Sequence, residues 1–134
     1  MVRMILIRGI PGSGKSTLAK FLLSQMYGKH LEADMYFDRD GMYQFDATKL
    51  GAAHGWCQAE AAHYLEKGIN VVVSNTFTTA KELKPYFAMA KTFGIVPEVI
   101  LCQNCFKNEH NVPDETLKRM RDRFQYDITE LFNE

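Results

Sequence analysis

The chain has 134 residues, 46% of them hydrophobic and 24% charged, enough for one domain with a sizeable core. This composition excludes disorder, collagen and coiled coil as global descriptions. Sixteen Lys and Arg balance sixteen Asp and Glu, so the net charge is zero, which excludes attachment to nucleic acid by bulk charge alone.

In chain order, residues 2–8 read as a buried strand, because Val2, Met4, Ile5, Leu6 and Ile7 are apolar on both faces. Residues 9–14 form a glycine-rich turn. A helix over residues 15–26 places Leu18, Phe21, Leu22 and Met26 on one side, and Tyr27-Gly28 closes it. Residues 30–34 are a short second strand with Asp34 at its end, and residues 36–49 read as a loop or broken helix. A helix over residues 50–67 follows, with Leu50, Ala53, Cys57, Ala61, Tyr64 and Leu65 inward and Gly68 as its cap. The third strand covers residues 70–74, a third helix residues 79–93 despite Pro85, and a fourth strand residues 95–102. After a loop, Pro113 with Asp114 and Glu115 starts a last helix running to about residue 132, with Leu117, Met120, Phe124, Ile128 and Leu131 inward. Strands alternating with helices predict one α/β domain over residues 1–134, a three-layer αβα sandwich on about four parallel strands. Ligands of such sheets bind at the carboxyl ends of the strands.

Gly9-Ile10-Pro11-Gly12-Ser13-Gly14-Lys15-Ser16-Thr17 matches G-x-x-x-x-G-K-[ST] between a strand and a helix, the P-loop context. Gly9, Pro11, Gly12, Ser13, Gly14, Lys15, Ser16 and Thr17 are the expected phosphate cradle, so the fold expected is that of P-loop NTPases and kinases. Lys15 reaches the β- and γ-phosphates of ATP and the Ser16 hydroxyl is offered to Mg²⁺. No N-K-x-D motif of a GTPase follows, and the chain is short for a motor. The third strand ends Val73-Ser74-Asn75, without the carboxylate of a Walker B strand, which favours a small kinase. Asp34 is then either the base toward an acceptor hydroxyl or the cap of a helical turn.

The segments RGIPGSGKSTLAKFL, EADMYF, DGMYQFDATKLGAAHGWCQ, VVVSNTF, KELKPYFAMAKTFG and NEHNVP…RMRDRF together resemble P-loop kinases of the polynucleotide-kinase type. Within that type they look like the kinase-like domains of the animal Nedd-four-binding proteins and short ATP-binding proteins of bacteria and phages. The resemblance implies that Asp34 is the general base toward a 5′-hydroxyl. It places the family's substrate-side Arg on Phe37 and its lid Arg near Lys118, with Arg119, Arg121 and Arg123 close by. The family's D-T-N or D-N-T-N motif falls on Ser74-Asn75-Thr76-Phe77, where the carboxylate is missing.

Lys118 and Arg123 are the expected lid cations, stabilising charge on the γ-phosphoryl group, against the alternative of a solvated basic face. The resemblance implies a lid or adenine-side contact for His110, and a backbone hydrogen bond that holds the loop shape is the equal alternative. His54 and Gln58 share a helix face and are candidates to line the acceptor pocket, with Trp56 as its wall or core. Glu32, Asp34, Asp38, Asp40 and Asp46 form an acidic rim against a single Arg39, which disfavours a long polyanionic acceptor. Tyr36, Phe37, Tyr43 and Phe45 can stack a ring or close the core. Cys102 and Cys105 form a lone C-x-x-C with no second pair, a weak signal for zinc or redox chemistry. With only Cys57 besides, the cysteines do not make a disulfide framework. No apolar run approaches the ~18–20 residues of a membrane span, and the N-terminus lacks the apolar core of a signal peptide. The expectation is therefore a cytoplasmic phosphotransferase (in the host's cytoplasm if viral) using ATP and Mg²⁺, with no membrane partner. Its acceptor is most simply the 5′-hydroxyl of a polynucleotide. The alternatives are a kinase of a nucleotide or other small metabolite, and a non-catalytic ATP-binding module.

Overall fold

The computed structural model of the protein describes residues 1–38, 42–104 and 112–133. Its sheet has four strands, β1 (Met4–Arg8), β2 (Gly28–Leu31), β3 (Asn70–Asn75) and β4 (Glu98–Leu101), in the order β2-β3-β1-β4. All three pairings are parallel, with Leu6 opposite Val73 and Val99, and Leu31 opposite Val73. The main helices are α1 (Lys15–Gln25), α2 (Leu50–Glu66), α3 (Ala80–Thr92) and α4 (Asp114–Arg123), with 3-10 turns at Ala33–Asp38, Ala47–Lys49 and Thr129–Asn133.

Strand alternation sorts the core into two halves. Met4, Leu6, Val71 and Val73 pack with Ala53, Cys57, Ala61 and Leu65 of α2 and Leu83, Tyr86 and Ala90 of α3. Ile5, Ile7 and Val72 face the other way, onto Leu18, Ala19 and Leu22 of α1. Helices therefore cover both faces, and the three-layer α/β expectation holds. Both α2 and α3 end in a Schellman motif. Ile69 N–H donates to Tyr64 and Ile95 N–H to Ala90, each at 2.9 Å, around Gly68 and Gly94 at φ 75° and 72°.

Several boundaries differ from the sequence reading. β2 stops at Leu31, so Asp34 does not end a strand but lies in the following 3-10 turn. Asn75 causes this, because its side-chain oxygen accepts the Ala33 N–H at 2.8 Å and turns the chain out of the sheet. β4 is only four residues long. The last helix ends at Arg123 rather than near residue 132. Phe124 is extended, and Gln125 N–H donates at 2.7 Å to Thr78 O, a tertiary partner that replaces the next helical bond. Phe21 and Leu50, placed on inward stripes, are 61% and 42% exposed. The buried side of α1 centres on Ala19, and Leu50 opens α2 a turn ahead of its first buried residue, Ala53. Among the described residues no helix is long and apolar enough to cross a membrane.

Candidate active site

Four chain segments meet at the carboxyl edge of the sheet: the Gly9–Gly14 turn, the end of β2, the end of β3 and the chain after α4. The turn is closed by Gly9 N–H on Thr76 O at 3.1 Å and Ser13 N–H on Ile10 O at 3.2 Å. Gly12 and Gly14 take φ 84° and 96°, which only glycine adopts without strain. α1 begins with neither a side-chain cap nor an acid in its first turn. Its leading N–H groups and positive end are thus left for an anion. The Ser13 hydroxyl is fully buried and has no hydrogen-bond partner among the described residues. Lys15 Nζ donates to Ile10 O at 3.1 Å, which folds the side chain back over the turn. Burial pushes the Lys15 pKa down, while Glu32 opposes that shift. The glycine-rich turn, Lys15 and the open end of α1 therefore lie together at this edge.

The end of β2 supplies a residue whose role the sequence reading missed. Glu32 is not part of a solvated rim. Its carboxylate accepts hydrogen bonds from Ser16 of the P-loop and, at 3.0 Å, from Ser74 of β3. His30 Nε2 lies 2.7 Å from Ser74 Oγ and 3.2 Å from Glu32 Oε1. Burial alone would raise the Glu32 pKa, but the His30, Ser16 and Ser74 hydrogen bonds outweigh it and hold the group at about 2. Its signal was the Glu32-Ala33-Asp34 spacing, which offers two acids of different reach at one strand end.

Asp34 and Asp46 of the acidic rim are also engaged. Asp34 is half-buried and accepts the Tyr43 hydroxyl at 2.7 Å. Burial and Asp34 both raise the Tyr43 pKa, so this phenol stays a donor. Asp46 accepts from Thr48 N–H at 3.0 Å and its hydroxyl at 2.6 Å, starting the short turn ahead of α2. Asp38 is exposed, and Asp40 lies outside the described residues.

Phe37 is core, packed edge-on to Tyr36 and Phe45 with centroids 5.5 Å and 5.1 Å away. Tyr36 also meets Trp56 of α2 at 6.2 Å, while Tyr43 and Phe45 stay exposed. His54 and Gln58 are half-buried on α2, which packs against the Asp34-bearing turn.

On the other side, a cleft of ≈ 180 Å³ is lined by Gly9, Ile10, Cys102, Arg121, Phe124 and Tyr126 among others. Arg121 is thus the α4 cation beside the P-loop among the described residues. Lys118 and Arg123 are exposed on the same helix. His110 and Cys105 lie outside the described residues, as do Asn108 and Asn111.

Arg8, the last residue of β1, joins these segments from below. It is 1% exposed. Its guanidinium donates to Phe77 O at 3.0 and 2.8 Å and to Gln125 O at 2.6 Å. It also stacks on Phe124 with 4.5 Å to the ring centroid. Phe77 holds φ 45°, an uncommon value for a bulky residue. Burial lowers the Arg8 pKa, and Glu82 works against that.

Among the described residues no three His, Cys, Asp or Glu converge to hold a metal. Mg²⁺ needs less from the protein. It keeps several waters and takes phosphate oxygens plus one or two protein oxygens. The Ser16 hydroxyl, with the Glu32 carboxylate beside it, offers oxygen donors of the kind such an ion takes.

A family model described as an AAA domain matches residues 4–126. Human NEDD4-binding protein 2 is 44% identical over 90 residues, 66% of this chain and only 5% of that protein's length. A chain of the Pnkp1/Rnl/Hen1 complex superposes with a TM-score of 0.59 at 17% identity, covering 88% of this chain and 38% of that one. The APS kinase CysC of Mycobacterium tuberculosis, in complex with AMPPNP and APS, gives 0.56 at 19% identity, covering 88% and 67%. At these identities the two structures speak to the fold.

Proposed function

The chain belongs to this AAA-domain family of P-loop kinase folds, and from that membership we propose that it transfers the γ-phosphoryl group of ATP to an acceptor hydroxyl. The acceptor that the reading favours is the 5′-hydroxyl of a polynucleotide. The observation that carries the proposal is the meeting of the P-loop, Lys15 and Ser16 with an acid-bearing turn, Glu32 to Asp34, at one sheet edge.

The cradle amides and Lys15 bind the phosphates and orient the γ-group. Ser16 would hold Mg²⁺, which when bound neutralises charge on the phosphate oxygens. Asp34 accepts the proton of the acceptor hydroxyl. The acceptor oxygen then bonds to the γ-phosphorus as the bond to the β–γ bridging oxygen breaks. Lys118 and Arg123, with Arg121 beside the cleft, offset the charge on the transferring group, and His110 serves the nucleotide side. Positioning and electrostatics supply nearly all of the rate.

A kinase of a small metabolite is the second reading, favoured by one observation. Phe37 is buried in the core where the resemblance puts a substrate-side Arg, so that arm toward a polyanionic acceptor is absent. The test is transfer of label from γ-labelled ATP to 5′-hydroxyl RNA and DNA oligonucleotides, mononucleotides and nucleosides. The expected result is label on an oligonucleotide end, lost in Lys15→Ala and lowered about 10²–10⁴-fold in Asp34→Asn. Label on small molecules alone establishes the second reading. ATP binding without transfer to any acceptor refutes the phosphotransferase assignment.

A further inference from the structure

The third strand of this chain ends in Ser74-Asn75, yet a carboxylate still reaches the P-loop hydroxyl. We infer that Glu32, from the neighbouring strand, is the residue that positions Ser16 for the metal of the nucleotide, a task that the β3 end performs with an Asp in other P-loop proteins. The inference rests on the nucleotide-site reading above and adds a residue to it.

The register makes the substitution geometrically direct. Leu31 pairs with Val73, so the next residues of the two strands, Glu32 and Ser74, come side by side. An acid on β2 can therefore occupy the space that an acid on β3 would fill. Ser74 marks that exchange, since its hydroxyl donates to Glu32 at 3.0 Å. A carboxylate at position 74 would instead repel it.

A serine hydroxyl has one proton and two lone pairs. In this structure the Ser16 proton is given to Glu32. Both Ser16 lone pairs are then free to face a hard cation, and the hydroxyl cannot rotate its proton into the metal's place. Glu32 is itself held, because Ser74 donates to it and His30 lies within 2.7 Å of Ser74 and 3.2 Å of Glu32. This is the arrangement by which outer groups orient a metal ligand and tune its affinity. Asn75, the other position where an acid is missing, is occupied in holding Ala33 N–H and so sets the path of the turn between Glu32 and Asp34. The two acids thus divide the site, with Glu32 on the metal side and Asp34 on the acceptor side.

The experiment measures Mn²⁺ retention by electron paramagnetic resonance in the presence of AMPPNP. AMPPNP affinity in excess EDTA is measured alongside. Glu32→Gln keeps the shape of the side chain and removes the charge. The expected result is about 10–100-fold weaker Mn²⁺ retention with AMPPNP affinity in EDTA within about twofold of wild type. Adding Ser74→Asp to Glu32→Gln returns a carboxylate from the β3 side and is expected to restore most of the Mn²⁺ affinity, a rescue that a merely structural role would not give. Wild-type Mn²⁺ retention in Glu32→Gln overturns the inference. So does an equal loss of AMPPNP affinity with and without metal. Lys15→Ala separates the two claims: unchanged AMPPNP affinity there overturns the nucleotide-site reading and this inference together.

Discussion

Replacing Arg8 tests the packing logic beneath the site. In Arg8→Met, three hydrogen bonds disappear and two carbonyls, the buried Phe77 O and the part-buried Gln125 O, lose their donors. Each orphaned carbonyl costs about 1–3 kcal/mol. The lost stack on Phe124 costs about 1–2 kcal/mol more. Removing a buried charge returns part of this, since burial already disfavours the charged Arg8. The net loss is about 3–5 kcal/mol. A domain holding about 5–15 kcal/mol stays folded after that loss only if it starts above the lower end of that range. With a urea slope near 2 kcal/mol/M, the midpoint falls by about 1.5–2.5 M. Arg8→Lys keeps the charge but cannot fork across two carbonyls or stack flat, so it falls between. Amide exchange locates the damage. The Gln125 N–H, on Thr78 O at 2.7 Å, and the Ala80 N–H, on Gln125 Oε1 at 2.8 Å, are expected to lose protection first. A urea midpoint within about 0.3 M of wild type, or unchanged protection at Gln125, refutes the reasoning.

Glycine substitutions are expected to split by surroundings. A Cβ at Gly28 would sit 2.8 Å from Asn70 O and 2.9 Å from a Leu23 methyl, so Gly28→Ala should cost about 1–3 kcal/mol in urea unfolding. Gly55 lies in α2 with nothing within 4 Å of its added Cβ, so Gly55→Ala should gain about 0.5–1 kcal/mol. The Arg3–Glu98 pair, at 2.8 and 2.7 Å, ties the chain before β1 to the edge strand β4. Arg3 lowers the Glu98 pKa from its ordinary value of 4.5, so the pair's contribution is full above that pH and fades as pH falls through the lower, folded value. The urea midpoints of wild type and Glu98→Gln should therefore differ at neutral pH and converge in strong acid. The pair is nearly half exposed, so the difference should also shrink in 1 M salt.

The sequence carried the parallel sheet and the P-loop because both are written locally. The apolar run of β1 and the glycines after it admit few other conformations, and Gly68 and Gly94 mark helix ends by themselves. What it did not carry depends on partners far along the chain. β2 stops at Leu31 because Asn75 captures Ala33 N–H, and the spacing of residues 30–34 contains no trace of that. The last helix breaks because Arg8 and Thr78 hold the backbone of Gln125, against an apolar period that continues to Leu131. Asp127 did leave a local sign, since it accepts both Thr129 N–H and its hydroxyl and starts the final turn, just as Asp46 does for Thr48. Glu32 was visible as an acid but not as an inward one, because direction depends on the pairing of two strands forty residues apart in sequence.

The position of β1 has a consequence for the order in which this chain acquires its shape. β1 precedes the other strands of its sheet in sequence, yet it lies between β3 and β4, whose residues begin at Asn70 and Glu98. Gly9 N–H waits for Thr76 O, Arg8 O waits for Cys102 N–H, and the Arg8 guanidinium waits for Gln125 O. Until those residues arrive, the apolar strand has only α1 to pack against and the glycine-rich loop lacks its distant partners, and closing such distant contacts spends chain entropy before any contact repays it. The turn over residues 9–14 is thus made well before the residues that close it, the last of which, Gln125, follows Arg8 by 117 residues. During that interval the exposed strand is the stretch on which a chaperone or a second nascent copy would act.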